Sequence, residues 1–337
     1  MKKNLLYIGN QLHKYGFNKT AIETLGVFLA EEGYTVLYTS NKKNQIIRLL
    51  DMMLSTLLNA KKADYILIDT YSTSSFWYTF FCSQIARLFK AKYIPILHGG
   101  DLPNRLQKNP KICKMIFNNS FTNVAPSNYL LSIFNDFGYE NVIFIPNSIE
   151  LKDYEYVERI NATPKFLWVR SFAEIYNPKM AIKVFESIKD KYPEAILTMI
   201  GPDKDGSLIS TQELANQLKL SVTFTGKLTK EEWISLAKDY SIFINTTHFD
   251  NTPVSVIEAM ALGLAVVSTN VGGIPYMLTN EKNALLVADN DVDQMIENIE
   301  RLIVNNILFC DITKNANELV KNMDWQVVKE HWEKLLQ

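Results

Sequence analysis

Cysteine is scarce in this chain. Its 337 residues hold three, Cys82, Cys113 and Cys310, with no C-x-x-C pair and no histidine pattern beside them. That argues against a disulfide framework and against a zinc site, and it suits a reducing compartment. Long hydrophobic runs are missing too: no stretch approaches the roughly 18 apolar residues needed to cross a bilayer. The opening MKKNLLYIGN has an apolar run too short for a secretory signal and reads as a first β-strand. The expected location is cytoplasmic, with any membrane contact peripheral and at the cytoplasmic face. No G-x-G-x-x-G follows that strand, which disfavours a dehydrogenase.

A net charge of one sign is nearly absent, at -1 overall, but the balance is uneven. Residues 1–150 carry 16 Lys/Arg against 10 Asp/Glu, and the remainder 19 against 26, so the halves stand at +6 and -7. A basic first half points to an anionic partner. Apolar residues make up 47% and charged residues 21%, an ordinary globular balance, and the length suits two domains of about 150 residues each.

Short runs rich in Val, Ile and Leu alternate with helix-like segments, the pattern of parallel sheets with crossover helices. Strands are expected at 4–8, 35–39, 65–69, 93–97, 122–126 and 142–146. A second set falls at 166–169, 195–200, 222–225, 241–245, 265–269 and 284–287. The polar stretch 148–163 reads as the seam between two Rossmann-like α/β domains, their sheets facing across a cleft. Ligands of such sheets bind beyond the carboxyl ends of the strands. Polar and glycine residues cluster there: Gly9-Asn10, His98-Gly99-Gly100, Arg170-Ser171, Gly201-Pro202, Gly226-Lys227 and 246–250.

The segment HFDNTPVSVIEAMALGLAVVSTNVGGIP, residues 248–275, concentrates the signals. Thr252 is expected to cap a helix, with Pro253 at its first position and Gly263 ending it in a left-handed turn. Free amides near Val254 and Ser255 suit phosphate oxygens. Asp250 precedes the helix, and Glu258 sits within it among apolar residues. Gly272 and Gly273 follow the next strand, where consecutive amides form an anion-binding nest.

This segment resembles the donor-binding region of the family 4 glycosyltransferases, retaining enzymes of GT-B architecture. Their pattern is two acids in E-x(7)-E, an Ala-Met-Ala helix and a Gly-Gly loop. Further matching stretches are APSNYLLSIF and FGYENVIFIPNSIE within 125–150, WVRSFAEIYNPKMAIKVF (168–185), MIGPDKDGS (199–207) and FTGKLTKEEW (224–233). The resemblance implies an acceptor-side domain at 1–150, a nucleotide-sugar domain at 151–320 and a terminal helix, 321–337, packing back across the seam.

It also implies roles. Glu258 would hold ribose hydroxyls, and Asp250 donor-sugar hydroxyls near the reacting carbon. Arg170 would neutralise the diphosphate with Lys179 as its partner, and His98 would orient a donor hydroxyl. Thr252, Pro253, Val254, Gly201, Gly226, Gly272 and Gly273 complete the donor side. Gly9, Asn10, Gly16, Gly99 and Asp101 belong to the phosphate loop or acceptor side. Two departures stand out: Val169 occupies the usual glycine position before the arginine, and nine residues separate Arg170 from Lys179.

The implied reaction is metal-independent transfer, with retention, from a UDP-, GDP- or other nucleotide-diphosphate sugar. The acceptor would be a glycan or lipid-linked molecule, in surface polysaccharide or glycolipid assembly. No cofactor, metal or nucleic acid is expected; Asp203-Lys204-Asp205 reads as a surface turn. A nucleotide-sugar epimerase and a non-catalytic sugar-nucleotide-binding protein remain as alternatives. Residues 41–62, lysine-flanked and apolar at 46, 49, 50, 53, 54, 57 and 58, fit a membrane-surface helix or one packed on its own sheet. The aromatic run SSFWYTFF, residues 74–81, reads as core.

Overall fold

A computed structural model describes residues 2–17 and 19–337. They form two compact units: the chain up to Ser148 together with Trp325–Gln337, and Ile149–Asp324. The first unit runs β1 (Asn4–Ile8), α1 (Ala21–Glu31), β2 (Thr35–Thr39), α2 (Gln45–Asn59), β3 (Tyr65–Thr70) and α3 (Phe76–Leu88). It continues with β4 (Tyr93–Leu97), α4 (Leu102–Lys108), α5 (Pro110–Phe117), β5 (Asn123–Ala125), α6 (Asn128–Asp136) and β6 (Val142–Phe144). The second unit runs β7 (Lys165–Val169), α7 (Pro178–Lys191), β8 (Ile196–Ile200), α8 (Ser207–Gln217), β9 (Thr223–Gly226) and α9 (Lys230–Ala237). Then come β10 (Ile242–Asn245), α10 (Val254–Ala261), β11 (Ala265–Thr269), α11 (Ile274–Met277), β12 (Leu285–Val287), α12 (Val292–Val304) and α13 (Asn306–Lys321). The last helix, α14 (Trp325–Leu335), belongs to the first unit.

Each unit holds one parallel six-stranded sheet, in the orders β2-β1-β3-β4-β5-β6 and β12-β11-β10-β7-β8-β9. Near-continuous apolar strands follow from burial on both faces. In the first sheet Leu5, Tyr7, Leu67 and Ile96 face α1 and α14, while Leu6, Ile8, Ile66 and Ile68 face α2 and α3. Helices α4, α5 and α6 pack with α3 under Leu97 and Ala125. In the second sheet Phe166, Trp168, Ile242 and Ile244 face α7 and α12, and Leu167, Phe243 and Val266 face α9 and α10.

The helices that follow β1 and β3 therefore lie on opposite faces, as do those that follow β7 and β10. Where neighbouring strands send their connections to opposite faces, a crevice opens at their carboxyl ends. Each unit has such a switch point, at β1/β3 and at β7/β10.

The aromatic run at 74–81 divides: Phe76 and Tyr78 are buried, while Trp77 and Phe81 face solvent. Cys82 and Cys113 are buried, and burial pushes both thiols up to about 12. Helix α14 is anchored on the first unit by Trp325, which stacks on Phe28 at 5.0 Å and donates to Glu32 at 3.2 Å. Tyr65 fixes the far end by donating to the Gln337 carbonyl at 2.8 Å. Trp325→Ala leaves a cavity under α14 and is expected to destabilise the first unit by about 3–5 kcal/mol. Hydrogen exchange should accelerate in peptides from β1–β6 but not in those from β7–β12; unchanged exchange in both would show that α14 is a dispensable appendage.

Candidate functional site

The carboxyl ends of β7 and β10 bring together Arg170 and Asp250, which form an ion pair with side chains only 14% and 16% exposed. Tyr176 covers the guanidinium, its ring centroid 4.3 Å away. Burial pulls the Arg170 pKa down, opposed by Tyr176. The other Asp250 oxygen accepts the Asn251 amide at 2.7 Å. Glycines allow this approach. A Cβ on Gly201 would strike the Arg170 carbonyl, and Cβ atoms on Gly272 and Gly273 would strike the carbonyls of Asp250 and Asn251.

Helix α10 starts beside this pair, one residue later than the sequence reading placed it. Pro253 is the cap, at φ -70 and ψ 110, and it lacks both a side-chain acceptor and an N–H. The Thr252 hydroxyl caps nothing. Instead the Thr252 and Ser255 hydroxyls and the Arg170 Nε are buried without hydrogen-bond partners. With the first-turn amides of Val254 and Ser255, they make a group of hydrogen-bond donors whose chemistry suits an anion. The helix ends as expected: Gly263 has φ +78, and the Leu264 amide reaches back to the Ala259 carbonyl.

Glu258 points to a partner the sequence did not reveal. The buried Tyr154 donates to its carboxylate at 2.5 Å, and Lys230 lies 4.5 Å from the Tyr154 ring centroid. Burial raises the Glu258 pKa; the Tyr154 hydrogen bond and the Lys230 charge oppose it less strongly. The segment read as a seam thus holds the helix. Arg159 binds the other end, donating to the carbonyls of Leu262 and Gly263 at 2.9 and 3.1 Å and to Ala237 at 3.0 Å.

In the first unit the β1/β3 switch point centres on Asp69, fully buried at the end of β3. Its carboxylate accepts Tyr7 Oη at 3.0 Å and the Ile22 amide at 3.3 Å, and pairs with His98 Nε2 at 3.0 Å. Gly9 lies against it: a Cβ there would sit 2.6 Å from Asp69 Oδ2. Gly99 packs as closely on the Ser72 amide. Asp69 was missed as a site residue because, as Asp-Thr at a strand end, it looks like any turn signal.

Several expected site residues are otherwise engaged. The Gly273 amide donates to Asp250 at 2.8 Å, so the Gly-Gly loop supports the acidic loop rather than opening as a nest. The Gly9 amide donates to Thr39 at 2.7 Å, and Gly201 donates to the Gly226 carbonyl at 2.9 Å. Lys179 is half-buried, 4.0 Å from Glu174, and makes no described contact with Arg170 or Asp250. Asp101 is exposed and accepts only Asn104, at 3.2 Å, among the described residues. Gly16 closes a short 3-10 turn at φ +88. Asn10 donates to Ser75 at 3.3 Å, its Oδ1 buried and unpartnered. Asp203 and Asp205 hold the start of α8, Asp203 through the amides of Gly206 and Leu208 and Asp205 through Ser207.

Residues 155–322 match the family model for glycosyl transferases group 1. An uncharacterized glycosyltransferase of Methanocaldococcus jannaschii is 26% identical over 276 residues, 74% of this chain and 69% of that protein. One from Haemophilus influenzae is 23% identical over 156 residues, 46% of this chain and 44% of its own length, so the match spans less than half of that relative. Among solved structures, Anabaena HepE in complex with UDP and glucose superposes with a TM-score of 0.78 at 15% identity, covering 100% of this chain and 99% of that one. The likeness is one of fold, the two-sheet GT-B architecture.

Glu258 supplies a stability test. A carboxyl with a raised folded-state pKa favours folding while protonated and loses that contribution as pH rises through the raised value. Glu258→Gln keeps the acceptor for Tyr154 and removes the buried charge. The variant should melt higher than the parent at neutral pH, and the difference should shrink as pH falls toward the ordinary carboxylate range. A variant that melts lower at every pH would contradict the burial argument.

Proposed function

We infer that this chain, which carries a group 1 glycosyltransferase domain over residues 155–322 on a GT-B fold, moves a sugar from a nucleotide diphosphate to a glycan or lipid-linked acceptor with retention of configuration. One observation carries the reading. At the β7/β10 switch point a half-buried arginine and carboxylate stand beside a helix start whose Thr252 and Ser255 hydroxyls lack partners among the described residues. Such a donor set matches a diphosphate next to a hydroxyl-rich sugar.

Arg170 pairs with Asp250. Diphosphate oxygens compete for the guanidinium, which binds phosphate bidentately, and the exchange frees Asp250 to accept donor-sugar hydroxyls. Glu258, inward of the phosphates on α10, accepts from ribose hydroxyls beside Tyr154. In the chemical step the anomeric carbon–oxygen bond to the diphosphate breaks, and the acceptor oxygen bonds to the same face. Its proton passes to the departing phosphate. Negative charge grows on that phosphate, and Arg170 with the α10 amides stabilises it. This division of labour asks for no metal. In the first unit His98, held by Asp69, offers its ring to an acceptor hydroxyl.

The first experiment is a thermal-shift screen with UDP-, GDP- and ADP-sugars. A true donor at 100 times its Kd stabilises the fold by about 2.7 kcal/mol. The second measures nucleoside diphosphate release with and without a lipid extract as acceptor. Transfer predicts release that depends on the extract, whereas epimerisation yields none. Arg170→Ala should lower the rate roughly 10²–10³-fold; full activity in both Arg170→Ala and Glu258→Ala would refute the site.

A further inference from the structure

Helix α2 is apolar on the wrong side for a helix that only packs on its sheet. Its inward face carries Met52, Thr56 and Arg48, all buried. Outward point Ile46, Ile47, Leu50, Leu54, Leu57 and Leu58, each between 49% and 71% exposed. At about 100° per residue these six fall within an arc of roughly 120°. The helix is firmly built. Asn44 accepts the amides of Ile46 and Ile47 at 2.9 and 3.2 Å, and Arg48 donates to the carbonyls of Lys42 and Lys43 at 2.8 and 2.9 Å.

The neighbouring helices extend the pattern. On α3, which lies beside α2 on the same sheet face, Trp77, Phe81 and Leu88 share one exposed stripe at i, i+4 and i+11. Charge accompanies it. Lys42, Lys43, Lys61 and Lys62 are exposed at the two ends of α2, and Lys108, Lys111 and Lys114 are exposed on and beside α5. Acids are almost missing: residues 41–62 hold only Asp51, which accepts the Ser40 hydroxyl at 2.6 Å, and residues 70–135 hold only Asp101. The +6 of the first half is thus concentrated in the segment that builds this face.

We propose that the α2–α3 face of the first unit docks on an anionic lipid bilayer, α2 lying in the interface plane with its six aliphatic side chains among the acyl chains and its flanking lysines on the headgroups. An apolar stripe flanked by lysines is the composition of interfacial helices, and aromatic residues such as Trp77 favour that depth. Among the described residues no helix is long and apolar enough to cross the membrane, so the contact is with one leaflet. The face goes beyond the transfer reading: it concerns where the protein works, and it stands on the first unit alone.

The test is flotation of the full chain with vesicles of phosphatidylcholine alone or of phosphatidylcholine with phosphatidylglycerol. Binding is expected to the anionic vesicles and to weaken with salt. The triple variant Leu50→Gln, Leu54→Gln, Leu57→Gln should bind roughly tenfold or more weakly, as should Lys42→Glu, Lys43→Glu, Lys61→Glu, Lys62→Glu. Because all seven side chains are exposed, both variants should melt with the parent and keep the donor thermal shift. Three outcomes overturn the proposal: no binding by the parent, equal binding by the triple variant, or equal binding to neutral vesicles. A parent that runs as a dimer, with the triple variant a monomer, would assign the face to a second copy of the chain. Since flotation needs no substrate, its failure and the failure of the transfer reading are read separately.

Discussion

The half-buried pairing of Arg170 with Asp250 is the interaction around which the second unit's carboxyl edge is arranged. Two charges so poorly exposed must meet each other or another partner, because either alone would be strongly destabilising. Their meeting depends on topology, since β7 and β10 are neighbours whose following helices leave on opposite faces. It also depends on backbones packed too closely for any side chain at Gly201, Gly272 and Gly273. The glycines after the strands are therefore spacers that bring loops together. The same packing leaves the Thr252 and Ser255 hydroxyls buried and, among the described residues, without hydrogen-bond partners.

A second buried charge sets the conformation of the segment between the units' sheets. Glu258 stands in an apolar helix and is satisfied from outside it by Tyr154, 104 residues earlier in the chain. Arg159, five residues beyond Tyr154, binds the carbonyls at the other end of the same helix. A stretch without helical or strand period is thereby as firmly specified as the elements it joins. Its polar residues act through tertiary contacts, which periodicity does not register.

That contrast marks what was legible in the sequence. All twelve strands were readable, because burial on both faces writes itself as short Val/Ile/Leu runs and the turn signals after them are local. The end of α10 was readable for the same reason, since a glycine at a left-handed position is a local requirement. Its start falls one residue later than the Thr-Pro pattern suggests, because Pro253 takes the cap position and the Thr252 hydroxyl makes no capping bond. Tyr154 and Tyr176 at the carboxyl edge of the second sheet, and Asp69 at that of the first, were not readable as partners of the candidate residues. Sheet order brings Asp69 to His98, tertiary packing brings Tyr154 to Glu258, and a local turn folds Tyr176 over Arg170, none of which a helical or strand period encodes.

Helix α2 shows a further limit of pattern and why composition helps. Its apolar positions are frequent enough to supply two faces, so periodicity fits equally a helix packed on its sheet and one lying on a membrane. The structure separates them: Met52 turns inward, and Leu50, Leu54 and Leu57 turn outward. The inner face packs the helix on its sheet, while the outer leucines stay about half exposed. An aliphatic arc facing water is a liability for a soluble monomer. The arc lies beside lysines on a face nearly devoid of acids, and the proposed anionic bilayer would match both properties where an apolar or an anionic partner alone would match one.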